Sequence, residues 1–183
     1  DVCSSDLPAS QCLPDAREPH AHILYGRVGT PSLRRRSLVP GNRVMVYDGP
    51  HRVHVEDRAV PSPGAGEVQI RVAYTGICGS DLHGYTGKSG RRVPGMVMGH
   101  EASGTVSGVG RGVDPSLVGS AVTFNPALYC DGGCGHGAVN HCAQLRVIGV
   151  DPSIQGAFAD YLVVPEHRVV ALEGIDLRDR KST

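Results

Sequence analysis

Side chains of the kinds that bind metal stand close together in residues 76–101, which read GICGSDLHGYTGKSGRRVPGMVMGHE. Cys78, His100 and Glu101 offer a thiolate, an imidazole and a carboxylate, a donor set that suits Zn²⁺. Structural zinc sites usually close with four Cys or His ligands, whereas catalytic sites keep three protein ligands and one open position. The three residues therefore outline a catalytic site, and the rest of the chain must decide between the two kinds of zinc site.

Polar side chains that could move a proton follow Cys78 closely. Ser80 and His83 lie two and five residues beyond it, near enough to form a hydrogen-bonded path away from a bound metal. Simpler explanations exist, since Cys78 could be a small buried hydrophobe and His83 a solvated helix residue. Ser80 and Asp81 could cap a helix that begins near Leu82. The combined pattern, with a histidine and a glutamate further on, favours the metal site.

The composition is that of one globular domain without a nucleic-acid or membrane role. The 183 residues include 18 basic and 18 acidic side chains, and 40% are hydrophobic. Balanced charge argues against nucleic acid as the partner. The longest uncharged stretches, such as residues 117–129, are too short for a membrane-spanning helix. Four of the six cysteines have metal-site neighbours and no signal peptide is visible, so we expect a cytoplasmic protein.

The two ends of the chain lack the pattern of folded protein. Residues 1–42 show no apolar period of 2 or 3.6, and their opening DVCSSDL matches a reading frame of a common sequencing adapter. We expect residues 1–42 to be a disordered or artefactual leader whose cysteines and histidines have no function. Residues 177–183 are predicted to be a tail, which leaves residues 43–176 as the folded domain.

Short alternating segments separated by Gly and Pro predict a mainly β domain filled by valine. RVMVYDG and HRVHVEDRAV meet at a turn over residues 48–50 and predict a hairpin. Residues 67–74 (EVQIRVAY) predict a third strand that leads directly into the predicted metal site. Further strands are predicted at residues 103–109, 118–124, 156–164 and 167–172.

Four motifs occur in the order seen in zinc-containing medium-chain alcohol and polyol dehydrogenases. They are GICGSDLH, GHEASGTV followed by GVGRGV, NPALYC with two further cysteines, and QGAFADYLVVP. From about Val44 to Asp176 the chain resembles the GroES-like catalytic domain of that family, and it is most similar in motif to sugar-acid and polyol members such as L-idonate 5-dehydrogenase and sorbitol dehydrogenase. The resemblance implies a mainly β fold, a partly open GroES-like barrel with short helices.

The same resemblance implies a role for each residue of the first cluster. Cys78 and His100 would be ligands of the catalytic zinc, with Glu101 a ligand or an exchangeable near-ligand. Ser80 would be the first acceptor of the proton from the substrate alcohol, and His83 would pass it on. Zinc lowers the pKa of a bound alcohol, and NAD(P)⁺ would accept the hydride.

Asp81 is placed to support the ligands without binding the metal. A carboxylate there could accept a hydrogen bond from the far ring nitrogen of His100 and so fix its tautomer. We therefore predict that Asp81 orients His100.

A second cysteine cluster departs from the family pattern. Members that carry a structural zinc have C-x2-C-x2-C-x7-C, whereas Cys130, Cys134 and Cys142 follow C-x3-C-x7-C. His136 or His141 could supply the fourth donor that a closed site needs. The alternative is a degenerate lobe that has lost its zinc.

Complete members of the family are roughly twice as long, because a Rossmann domain follows the catalytic domain. The 183 residues contain no strand–GxGxxG–helix unit, since GVGRGV at residues 108–113 lacks the third glycine. We therefore expect a fragment without the Rossmann domain, unable to hold NAD(P) and inactive alone. The full-length enzymes, usually homo-oligomers, act on small-molecule alcohols or polyols. The alternative is a non-enzymatic zinc- or thiol-binding module with a GroES-like fold.

Overall fold

Strands are the main regular secondary structure of the described backbone, as the alternating sequence predicts. The computed structural model of the chain describes residues 41–130, 141–174 and 177. Within these residues the strands are β1 (Asn42–Gly49), β2 (Arg52–Arg58), β3 (Glu67–Thr75), β4 (Ala102–Val109), β5 (Ala121–Phe124), β6 (Ala127–Leu128), β7 (Arg146–Val147), β8 (Tyr161–Pro165) and β9 (Val169–Ala171).

Helical structure is scarce in the same part of the chain. The α-helix α1 (Gly79–Tyr85) follows β3, and 3₁₀ turns occupy Pro115–Leu117 and Glu166–Arg168. Pro115 suits the start of its turn because its ring presets φ, and Asp114 caps that turn by accepting from the Ser116 N–H at 2.9 Å. In the part of the chain that the structure describes, no helix has the length and apolar character needed to span a membrane.

A five-stranded antiparallel sheet in the order β8-β3-β4-β5-β9 forms the centre of the fold. β3 is the strand whose sequence alternates most clearly, and it pairs with β4 on one side and β8 on the other. The sheet leaves β8 and β9 as edges among the described strands, so the barrel is partly open. These features confirm the predicted mainly β, partly open fold.

The main core lies against this sheet and is rich in valine. Val68 and Ile70 of β3 are 0% and 1% exposed, and burying side chains of this size contributes about 1.5–3 kcal/mol each. The buried residues of this cluster are Val68, Ile70, Ala102, Val106, Val113, Val122, Phe124, Ile148, Ala157, Leu162 and Val164.

The predicted hairpin of β1 and β2 forms a separate two-stranded sheet with its own core. Val44 and Val46 of β1 are buried with Met96, Met98 and Phe158. Val53 and Val55 of β2 are exposed, because the hairpin has only one face against the protein.

Strand boundaries differ from the predictions where the backbone bends. β1 begins at Asn42, which is fully buried and exchanges side-chain hydrogen bonds with the backbone of Tyr161 at 2.9 and 3.2 Å. β5 begins at Ala121 because Gly119 adopts φ +91° and ends the preceding turn. β8 begins at Tyr161, five residues later than predicted.

Residues 156–160 are irregular because they pair with two other segments. Ala157 N–H donates to the Gly99 carbonyl at 2.8 Å, and Met45 N–H donates to the Phe158 carbonyl at 2.8 Å. This crossing segment connects the hairpin to the chain just before His100.

Candidate metal centre

The predicted ligands come together where β3 ends and β4 begins. Thr75 is paired with Ala102, and both the Gly76 N–H and the Thr75 hydroxyl donate to the Glu101 carbonyl, at 2.8 and 3.0 Å. Cys78 is the residue before α1, and its carbonyl accepts hydrogen bonds from the Asp81 and Leu82 N–H groups of that helix at 3.0 and 3.3 Å. The strand pairing thus fixes two distant parts of the sequence side by side.

Cys78, His100 and Glu101 offer ligand atoms that all lie within 4.8 Å of one another. Each of the three residues is half-buried, so the group is partly open to solvent. A sulfur, an imidazole nitrogen and a carboxylate oxygen at this spacing fit a Zn²⁺ ion with one open position. Among the described residues, this is the one group of three or more potential ligand residues at such spacing.

Ser80 lies beside two of these ligands. Its Oγ is 3.3 Å from His100 Nε2, at the first turn of α1. The backbone N–H and the hydroxyl of Ser80, followed by His100, lower the pKa of the Cys78 thiol. A lowered pKa favours the thiolate, the form that binds metal.

Asp81 lies behind the ring of His100. Asp81 Oδ1 is 3.4 Å from His100 Nδ1, and their side chains are 2% and 12% exposed. Both of these atoms are buried without a hydrogen bond to a described residue, and their contact is an ion pair when His100 is protonated. The other carboxylate oxygen, Oδ2, accepts from the Cys78 N–H at 3.1 Å. Asp81 thus lies beside the far ring nitrogen of His100, but the predicted hydrogen bond is not formed at this separation, and the orienting role of Asp81 stays a prediction.

The opposite charges of Asp81 and His100 shift the pKa values of both side chains. Asp81 raises the pKa of His100 to about 9, with burial opposing the shift and Cys78 adding to it. Burial would raise the pKa of Asp81, but His100, the Cys78 N–H and Arg92 outweigh it and the pKa is lowered. His100 is consequently protonated at neutral pH in the metal-free protein, and a bound metal must displace that proton.

His83 is not connected to Ser80 by a hydrogen bond. It lies one turn further along α1 and is exposed, and its ring makes no hydrogen bond with any described residue. Residues at i and i+3 share one face of a helix, so the two side chains lie on the same side. The relay role of His83 stays a prediction.

Arg92 is part of this site although nothing in the sequence around it indicates such a role. Its side chain is 2% exposed and Nη2 lies 3.5 Å from Asp81 Oδ1. In the sequence it stands in an Arg–Arg pair, a pattern usually found on solvated surfaces. Only the fold distinguishes Arg92, which is buried, from Arg91, which is exposed.

The second cysteine cluster is only partly described. The antiparallel pair β6 and β7 brings the chain back on itself, and Cys130 Sγ lies 3.5 Å from Cys142 Sγ. Cys134 and His136 lie outside the described residues, and His141 is exposed. The two described thiols are close enough to bind one metal ion together.

Fold and site together define a GroES-like domain of the alcohol dehydrogenase type. The family model for the alcohol dehydrogenase GroES-like domain matches residues 64–174. The chain is 41% identical over 115 residues to L-threonine 3-dehydrogenase of Pyrococcus abyssi, covering 60% of this chain and 32% of that protein. It is 32% identical over 135 residues to L-galactonate-5-dehydrogenase of Escherichia coli K12, covering 73% and 39%. The chain belongs to the zinc-containing medium-chain alcohol and polyol dehydrogenase family.

Solved structures agree with this assignment. The crystal structure of the alcohol dehydrogenase RspB from Escherichia coli CFT073, complexed with the cofactor NADH, superposes with a TM-score of 0.68 and 33% identity. The match covers 76% of this chain and 41% of that one. The chain thus spans about two fifths or less of the length of these relatives.

Proposed function

We propose that this chain is the zinc-binding catalytic part of an NAD(P)-linked dehydrogenase that oxidises an alcohol, polyol or sugar acid to the carbonyl compound. The observation that carries the proposal is the meeting of Cys78, His100 and Glu101 within 4.8 Å, at the end of the central strand pair. The dehydrogenase names of its relatives support the reaction class, and the L-galactonate enzyme supports a sugar-acid substrate.

The chain's own residues provide the groups that such a site needs. When bound, Zn²⁺ lowers the pKa of the substrate hydroxyl. Ser80 Oγ lies 3.3 Å from His100 Nε2, next to the ligand atoms, and can take the proton that the hydroxyl loses. His83, on the same helical face, can pass the proton to solvent. Asp81 holds the His100 ring from behind.

The 183-residue sequence contains no nicotinamide-binding glycine motif, so we propose that the hydride acceptor is held by another part of the full protein. The relatives are more than twice as long, which supports this division. We also propose a homo-oligomeric full-length enzyme that acts in the cytoplasm, where its thiols stay reduced. The pure 183-residue chain should then form no NADH or NADPH from alcohols, and detectable cofactor reduction would contradict this.

We further propose a structural zinc held by Cys130, Cys134 and Cys142. The 3.5 Å separation of the Cys130 and Cys142 sulfur atoms supports it. A histidine from the same lobe would complete the tetrahedral shell.

Metal analysis of the chain tests both sites with matched substitutions. The metal-free protein is reconstituted with Zn²⁺, and the bound zinc is counted by mass spectrometry. Cys78→Ser and Cys130→Ser make the same chemical change in different clusters. We expect two zinc ions in the original chain and one in each variant, retained at the intact site.

The outcomes separate the two proposals. A Cys78→Ser chain that binds as much zinc as the original would overturn the catalytic site. One zinc in the original chain, unaffected by Cys130→Ser, would remove the structural site and leave the catalytic one.

A further inference from the structure

A buried arginine lies behind the candidate zinc site. Arg92 is held in the segment between α1 and β4, with a side chain that is 2% exposed. Its Nη1 donates to the Val150 carbonyl at 3.5 Å, while Nε and Nη2 are buried without a hydrogen-bond partner among the described residues. A buried guanidinium with so few hydrogen bonds is destabilising unless a nearby charge compensates it.

Asp81 provides that charge. Its Oδ1 lies 3.5 Å from Arg92 Nη2 and 3.4 Å from His100 Nδ1, so one oxygen faces both cationic groups. Its Oδ2 accepts from the Cys78 N–H. The carboxylate therefore contacts the backbone of one candidate ligand and the ring of another.

Gly84 leaves room for the Arg92 side chain beside α1. A Cβ on Gly84, in the last turn of α1, would lie 2.6 Å from Arg92 Cγ and 2.9 Å from Nε. Because Gly84 has no side chain, the aliphatic part of the Arg92 side chain can cross α1 toward Asp81. The position of Arg92 is thus set by packing as well as by charge.

We propose that Arg92 is a positioning residue for the zinc site, which holds the Asp81 carboxylate in place so that Asp81 can fix the ring of His100. With Nδ1 directed at Asp81, His100 presents Nε2 toward Ser80 and the other ligand atoms. Arg92 contacts neither the metal nor the substrate in this scheme. The inference rests on the proposed zinc-binding function.

Metal affinity of the full 183-residue chain tests the proposal without requiring turnover. Co²⁺ replaces Zn²⁺, its affinity is measured by competition with a chelator, and its visible absorption spectrum reports ligand geometry. Arg92→Met keeps a long side chain and removes the charge. We expect affinity to fall about 10- to 100-fold with a changed spectrum, as for other residues that orient metal ligands.

Two further variants serve as controls. Arg91→Met makes the same change at the exposed neighbour, and it should leave affinity and spectrum unchanged. Arg92→Lys keeps the positive charge near Asp81, and it should restore most of the affinity.

Coupling to Asp81 distinguishes positioning from a merely structural role. In an Asp81→Asn chain, adding Arg92→Met should cause no further loss of metal affinity, because the partner charge is already gone. If either single variant fails to fold, the double variant, which removes both charges, is compared with the original chain, and an unchanged metal affinity would then overturn the proposal. An equal further loss in that background would overturn the proposal.

Failure of this inference can be told apart from failure of the proposed function. If the original chain binds no Co²⁺, or Cys78→Ser binds it equally well, the zinc site itself is wrong. If the original chain binds through Cys78 while Arg92→Met has the same affinity and spectrum, only the role of Arg92 is wrong.

Discussion

His100 is the residue on which the charges of the site converge. Asp81 lies behind its Nδ1 and Ser80 lies beside its Nε2. An imidazole held in this way carries its proton to higher pH than an ordinary histidine. The metal-free site is therefore occupied by a proton that the metal replaces.

This arrangement predicts the titration of His100 in the metal-free chain. Its pKa is raised from 6.5 to about 9, chiefly by Asp81. Since the folded-state value is the higher one, the stability from the ion pair is complete below about pH 6.5 and is lost as pH rises through about 9. NMR titration of the ring protons measures this pKa directly.

Asp81→Asn is the control for that titration. Without the carboxylate, the pKa of His100 should move back toward 6.5, and the associated stability should disappear. A metal-free chain whose His100 already titrates near 6.5 would show that the ion pair is weak.

The sequence identified this site incompletely for a physical reason. Cys78, His100 and Glu101 could be predicted because metal ligands need particular atoms, and few residue types supply them. Arg92 could not, since its importance comes from burial beside Asp81, and burial depends on the packing of distant segments. Asp81 could be predicted because it stands close to Cys78 in the sequence, whereas no spacing relates Arg92 to the ligands.

Among the elements, the crossing segment of residues 156–160 was the hardest to predict. Its alternating residues favour a strand, yet its hydrogen bonds go to residues 97–99 on one side and to β1 on the other. Partners this far apart in sequence leave no local pattern. By contrast, β1 and β3 were predictable because their alternating apolar residues form a buried face. In β2 the alternation marks a strand although its valines are exposed.

The turn before His100 provides a test of this crossing. Gly99 has φ +93°, and a Cβ there would lie 2.6 Å from Phe158 Cδ1 and 2.8 Å from its backbone nitrogen. Gly95 has the same φ of +93° but open space around it. Both Gly→Ala changes incur the left-handed strain of about 1–2 kcal/mol. Gly99→Ala should lose about 1–3 kcal/mol more, through the collision with Phe158.

Urea unfolding of the two variants measures the difference. Equal losses would mean that Phe158 moves aside freely, and that the crossing segment does not restrain the approach to His100.

Over the whole molecule, the described residues pack around two apolar clusters, one against the central sheet and one under the hairpin. The predominance of valine, together with many glycines, was enough to predict a mainly β domain. The pairing order β8-β3-β4-β5-β9 was not predictable, because every strand shares the same apolar pattern and nothing local selects its neighbour.

A pair of valines tests where the core lies. Val68 in β3 is 0% exposed and Val55 in β2 is 69% exposed. Val68→Ala should reduce the free energy of unfolding by about 2 kcal/mol, since it removes two buried methyl groups from a packed cluster. Val55→Ala makes the same chemical change and should stay within about 0.5 kcal/mol. Chemical denaturation compares them, and similar effects would contradict the assigned core.

The pairing of Thr75 with Ala102 also links the register of two strands to the assembly of the candidate metal centre. Cys78 and His100 are separated by 22 positions in the chain, and they become neighbours only when β3 and β4 have joined. A slip of one residue between these strands would move one ligand by about 3.3 Å and reverse the faces of the strand. Misregistered chains therefore cannot bring the three candidate ligands together, and zinc at the proposed site would bind only the chains whose strands have aligned correctly.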